Sequence, residues 1–216
     1  MMKKTILFCC LLLSSCAMLT LNKDAVTSRQ FLDAREKKIL VNISEQKLYL
    51  LAPHNQIITS YPISSGRTGT GEINASGKTP RGMHIIGQKI GDEQPTLQAY
   101  KARQPIGLYS ANNSKGKHIL ARILTLNGQE PYNKNTKARY VYIHGTPNTR
   151  QLGTIPVSSG CIRMNPKDIV ELFELVNEHM PVYIYDDKNP LPRQRTIHQV
   201  ANALSYVENQ DTTWKA

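Results

Sequence analysis

Residues 140–164, Y-V-Y-I-H-G-T-P-N-T-R-Q-L-G-T-I-P-V-S-S-G-C-I-R-M, constrain the fold more than any other stretch of the chain. An apolar, strand-like segment delivers His144 at its end, with Gly145 directly behind it. A loop of Gly, Pro, Thr and Ser follows, and Ser158-Ser159-Gly160-Cys161 leads back into apolar Ile162 and Met164. A chain folded this way brings a histidine and a cysteine to two edges of one turn-rich loop. Thiol nucleophilic catalysis needs that pairing, because the thiolate is the reactive species and a neighbouring imidazole produces it near neutral pH. Gly160 leaves room for a substrate carbonyl to approach the backbone, whose N–H groups would stabilise an oxyanion.

Around this stretch the pattern is β. Residues 39–43 and 47–52 read as a hairpin through Ser44-Glu45-Gln46, and Pro53-His54-Asn55 turns the chain into a third strand at 56–64. The glycine-rich residues 65–71 resemble a phosphate cradle only superficially, since no Gly-Lys-Ser/Thr opens a helix there. Ser76-Gly77-Lys78-Thr79-Pro80-Arg81-Gly82 then precedes a strand at 83–90. Residues 91–116 read as a long irregular insertion near the site, a lid or a disordered loop, with Pro95 and Pro105 inside it. A strand at 118–126 turns at Asn127-Gly128 and passes to the strand at 140–144. Behind the cysteine, Asn165 at an N-cap, Pro166 at N1 and Asp168 in the first turn start a helix. Ile169, Leu172, Phe173 and Val176 give it one apolar face that pins the cysteine loop to the sheet. Residues 181–185 close the sheet. The expectation is a mainly β fold with a minor α component.

The ends set the compartment. Met1-Met2-Lys3-Lys4 is a basic start, and residues 5–13 are an apolar run too short to span a bilayer, which is the form of a signal peptide. Leu13-Ser14-Ser15-Cys16 resembles a bacterial lipobox, with Cys16 as the lipidated residue; the alternative is cleavage after Ala17 and free secretion. Removing the leader takes Lys3 and Lys4 from a formal charge of +11 and leaves +9. Such a charge reads either as a solvated basic surface that keeps the protein soluble or as attraction to a polyanion, which outside the inner membrane means envelope polymers or lipid head groups; no basic run interleaved with aromatics points to nucleic acid. Cys9 and Cys10 lie in the leader, so Cys161 is the one thiol of the folded part, with nothing to pair with.

The opening I-L-V-N-I-S-E-Q-K-L-Y-L, the central S-G-K-T-P-R-G, I-H-G-T at His144 and S-S-G-C-I-R-M at Cys161 together resemble the L,D-transpeptidase catalytic domain, the YkuD-like family of bacterial cell-wall enzymes, over roughly residues 38–185. The resemblance implies a β-sandwich of mixed strands with one helix packed beside the active-site loop. It implies Cys161 as nucleophile and His144 as base, with the histidine oriented by the carbonyl of Gly145. Where the family's commonest pattern has a second histidine before the glycine, this chain has Ser159, which weakens any role for a second imidazole. Arg163 matches the family's arginine, suited to a substrate carboxylate or an oxyanion, or else held in a structural salt bridge.

The implied reaction cleaves the diaminopimelate–D-alanine bond of a peptidoglycan stem peptide and passes the acyl group to an amine, on the stem or on an envelope protein. Transfer to water would make the enzyme an L,D-carboxypeptidase instead. It calls for no cofactor. Two rivals stand beside it. A zinc site would use Cys161 and His144, but His54, His84, His118, His179 and His198 are scattered without ligand spacing. A non-catalytic wall-binding module would have no reason to keep the Cys–His pair. The organisation expected is a leader at 1–16, a tether at 17–37, a catalytic domain at 38–186 and a polar tail at 187–216 carrying a weakly amphipathic patch at 197–207, in an exported, membrane-anchored lipoprotein on the periplasmic side.

Overall fold

The computed structural model describes residues 37–110 and 118–191. The leader, Cys16, the tether up to residue 36 and the patch at 197–207 lie outside the described residues.

Ten strands, one α-helix and a single 3-10 turn make up the described chain: β1 (Lys38–Asn42), β2 (Lys47–Leu51), the 3-10 turn (Pro53–Asn55), β3 (Ile57–Pro62), β4 (Gly82–Ile90), β5 (Gln98–Lys101), β6 (Gln104–Leu108), β7 (Ile119–Gly128), β8 (Tyr142–Gly145), β9 (Ile162–Met164), α1 (Pro166–Leu175) and β10 (Pro181–Tyr185). Hydrogen bonding orders them β3-β2-β1-β10-β4-β7-β5-β6, with β8 on β7 and β9 on β8. The β1–β10 and β8–β9 pairs are parallel and the others antiparallel.

Period-2 alternation explains why β1 sits in the middle. Its Ile39 and Val41 enter the main core, and Leu40 enters a second, tyrosine-rich cluster with Tyr49, Leu51, Met83, Tyr183 and Tyr185. Both limbs of the sheet feed the main core: Leu50 and Tyr61 from β2 and β3, Leu124, Ile143 and Ile162 from β7, β8 and β9. The path therefore curls over one apolar filling as the layers of a sandwich do. α1 closes it with Ile169, Leu172 and Phe173, packed on β7 and β8. The cap is as expected: the Asn165 side chain accepts from the Lys167 amide at 2.9 Å, and Pro166 opens the helix. The expected fold class holds.

Two local expectations do not. The insertion at 91–116 contains the hairpin β5–β6, closed by a two-residue turn with Ala102 and Arg103 at φ 50 and 67. Such turns normally carry Asn or Gly, so the turn signal is missing here. Pro105 reads as a strand breaker, yet it is tolerated because β6 is the exposed edge of the sheet. Asn127-Gly128 is likewise not the turn. β7 runs through Gly128, the chain turns over residues 129–141, and β8 starts at Tyr142 rather than Tyr140. Gly128 is there for packing, since a Cβ on it would collide with the Asn133 carbonyl of the returning loop.

Candidate active site

β8 and β9 bring the two chemically important residues together. The parallel register sets Ile143 against Ile162 and His144 against Arg163, so Cys161, one residue before β9, stands opposite Tyr142. Alternation then puts Tyr142, His144, Cys161 and Arg163 on one face of the pair, while Ile143, Ile162 and Met164 go into the main core. Strand spacing and rise separate the Cα atoms of Cys161 and His144 by roughly 8 Å, a diagonal that two side chains can close. Cys161 packs against the small cluster formed by Tyr100 of β5, Ile123 of β7 and Tyr142 of β8.

The cysteine turn is held from both sides. Ser64 exchanges both backbone hydrogen bonds with Arg163, each 2.9 Å, and the Ser158 amide donates to the Ser65 carbonyl at 2.8 Å. Ser158 is fully buried; its Oγ accepts from the Gly160 amide at 3.0 Å and donates to the Cys161 carbonyl at 2.5 Å. Thr79 completes the brace, its Oγ1 accepting from the Gly66 amide at 2.8 Å and donating to the Gly160 carbonyl at 3.0 Å. Sequence patterning singles out neither Ser158 nor Thr79. Thr79 lies in the S-G-K-T-P-R-G motif, but its partners are 13 and 81 residues away. Ser159 is exposed and makes no hydrogen bond among the described residues. Gly160 has φ +112, and a Cβ there would stand 2.9 Å from the Lys78 carbonyl. The close approach that demands a glycine is thus made by the protein's own backbone rather than by a substrate. Gly145 is equally constrained, since a Cβ on it would stand 2.5 Å from the Leu120 carbonyl oxygen and 3.1 Å from Ile169 Cγ2.

His144 is 4% exposed. Its Nδ1 donates to the Gly145 carbonyl at 2.8 Å, which fixes the tautomer and leaves Nε2 as the free base. Burial drives its pKa down to about 4; the Gly145 hydrogen bond opposes this and Arg163 adds to it. The half-buried Cys161 points its thiol at the Tyr140 carbonyl, 3.5 Å away. Burial pushes that thiol up, while the Tyr142 backbone and the guanidiniums of Arg163 and Arg139 pull it back. Both partners are therefore neutral at pH 7. Arg163 is half-buried and pairs with no carboxylate among the described residues, whereas Arg81 pairs with Glu72 at 3.0 Å. Among the described residues no cluster of three His, Cys, Asp or Glu could hold a metal, and His84 is engaged by the Gly82 carbonyl and Thr136 Oγ1.

The chain has relatives among known proteins. A family model described as the L,D-transpeptidase catalytic domain (YkuD) matches residues 36–184. The probable L,D-transpeptidase YcfS of Escherichia coli is 31% identical over 165 residues, covering 70% of this chain and 45% of that protein, so the chain spans under half the length of this curated relative. Among solved structures, an L,D-transpeptidase from Mycobacterium smegmatis is 18% identical with a TM-score of 0.46, covering 69% of this chain and 58% of its own. The catalytic domain of the Enterococcus faecium L,D-transpeptidase is 18% identical with a TM-score of 0.45, covering 70% of this chain and 98% of its own.

Proposed function

Given that the chain belongs to the L,D-transpeptidase catalytic-domain family, we propose that it is a peptidoglycan L,D-transpeptidase with Cys161 as nucleophile and His144 as its base. The observation that carries this reading is the β8–β9 register, which sets both side chains on one face with His144 Nδ1 already committed to the Gly145 carbonyl. In the first half-reaction His144 Nε2 takes the thiol proton as sulfur attacks the carbonyl between diaminopimelate and D-alanine. The imidazolium returns that proton to the departing D-alanine nitrogen, and a thioester remains. In the second, an acceptor amine attacks the thioester, gives its proton through His144, and the thiol is regenerated. The acceptor is a second stem peptide or an envelope protein. Arg163, a desolvated cation without a carboxylate partner among the described residues, suits the substrate carboxylate or the developing oxyanion. The leader ending at Cys16 supports export and a lipid anchor on the periplasmic side.

Mass analysis of muropeptides after incubation with a tetrapeptide donor tests the reaction. Loss of D-alanine with a new amide to the acceptor is the expected product. Loss of D-alanine with only the tripeptide would make the enzyme a carboxypeptidase, and no loss at all would overturn the assignment. The anchor is tested separately. Cys16→Ala should move the protein from the membrane to the soluble fraction, and membrane retention that weakens with added salt would assign the anchoring to the basic surface instead.

A further inference from the structure

Two arginines act on the cysteine turn, and their hydrogen bonds separate them. The Arg163 side chain makes none among the described residues, so its donors are free for a ligand. Arg139 is engaged through both terminal nitrogens: Nη1 donates to the Gly71 carbonyl at 3.1 Å, and Nη2 to the Lys78 carbonyl at 2.5 Å and to Ser76 Oγ at 3.5 Å. The Lys78 carbonyl is the same oxygen that stands 2.9 Å from a Cβ at Gly160. The guanidinium thus lies one carbonyl behind the residue that precedes Cys161. On its other side Arg139 adjoins Tyr140, whose carbonyl, presented at φ 55, accepts the thiol proton.

We propose that Arg139 is a positioning residue for the thiol: a fixed positive charge, locked to the backbone of 71–78, that eases ionisation of Cys161 from behind the turn. A charge already oriented by three hydrogen bonds needs no rearrangement when the thiolate forms. Burial disfavours the charged form of Arg139, and Glu72 and Cys161 both favour it, so cation and thiolate support each other. The other groups around the thiol are Tyr142 from β8 and Arg163 from β9, with His144 on the same face of the β8–β9 pair and Tyr100 of β5 in the cluster against which Cys161 packs.

The inference rests on Cys161 being the reactive thiol, and its test needs neither stem peptide nor acceptor. Alkylation of Cys161 by iodoacetamide is followed by mass from pH 5 to 10, on variants whose folding is checked by thermal unfolding. Arg139→Gln keeps donors for the carbonyls and drops the charge. It should slow alkylation about tenfold at pH 7.5 and move the rising limb to higher pH, as loss of one neighbouring opposite charge does. Arg139→Lys keeps the charge and should stay within about threefold of the wild type. Arg139→Met replaces the Gln variant if that one fails to fold. A neutral variant with the wild-type profile would overturn the proposal, and so would a Lys variant displaced as far as the neutral one. If alkylation behaves as expected while no D-alanine is released from a stem peptide, the transpeptidase reading fails and this one stands.

Discussion

At neutral pH Cys161 keeps its proton and His144 has no extra one, because burial disfavours the charged form of both. On the proposed mechanism the proton therefore moves during attack rather than before it. The rising limb of acylation should then report His144. Its pKa is depressed to about 4, so the base is available above that pH and lost as the pH falls through it. Single-turnover acyl-enzyme formation, followed by mass, should climb through about pH 4 and be flat by about pH 6, with folding checked at each point. A limb centred above pH 7 would mean that a preformed thiolate is the attacking species. His144→Gln should cut acylation by roughly 10²- to 10⁴-fold with little change in binding, the usual share of general acid–base catalysis. Cys161→Ala should form no acyl-enzyme while unfolding at the wild-type temperature, and turnover by that variant would remove the nucleophile assignment.

The elements divide into those with a local signal and those without. α1 was legible because Asn165, Pro166 and Asp168 announce its start and its apolar residues fall at helical spacing. β1, β2 and β10 were legible as dense runs of apolar residues. That Cys161 and His144 flank one loop was legible because each residue sits in a recognisable short motif. The β5–β6 hairpin was not, since Ala102 and Arg103 hide its turn, and neither were Thr79, Ser158 and Arg139. Their roles consist of bonds to segments distant in sequence, which no local pattern encodes. Two tests belong at this scale. Replacing Ala102-Arg103 with Asn-Gly relieves two left-handed residues and should stabilise the hairpin by about 1 kcal/mol, read as slower amide exchange in β5 and β6. Faster exchange would mean that the turn is not what limits the hairpin. Thr79→Val keeps the shape but strands the Gly66 amide and the Gly160 carbonyl, costing about 1–3 kcal/mol of stability. It should lower kcat more than it raises KM, because the cysteine turn loosens while the cleft walls stay. An unchanged kcat would show that Ser158 and Ser64 hold the turn without it.

For the molecule as a whole, acid is the weak direction. His84 and His144 are both buried and both depressed to about 4 from an ordinary 6.5. Between those values the unfolded chain takes up two protons that the folded one refuses. Stability is therefore complete above about pH 6.5 and falls as the pH drops toward 4, by up to about 3 kcal/mol for each histidine. Against a total of ~5–15 kcal/mol this is a large fraction. The thermal midpoint should decline steadily from pH 7 to pH 5; a decline of half that size would show that one of the two histidines is hydrated in solution, and a flat midpoint that both are. The parallel β1–β10 pair has a consequence of another sort. The Asn42 end of β1 leads into Gln46, which bonds Ser65, which in turn holds Ser158 of the cysteine turn. The Lys38 end lies roughly 13 Å further along the strand. Lys37 shares a surface hollow with Leu175 and Met180, beyond the far end of the helix that starts beside the cysteine turn. The described chain thus begins on the side opposite Cys161. With the proposed anchor at Cys16, the domain would hang with its back to the bilayer and its nucleophile turned outward, toward the polymer it is proposed to modify.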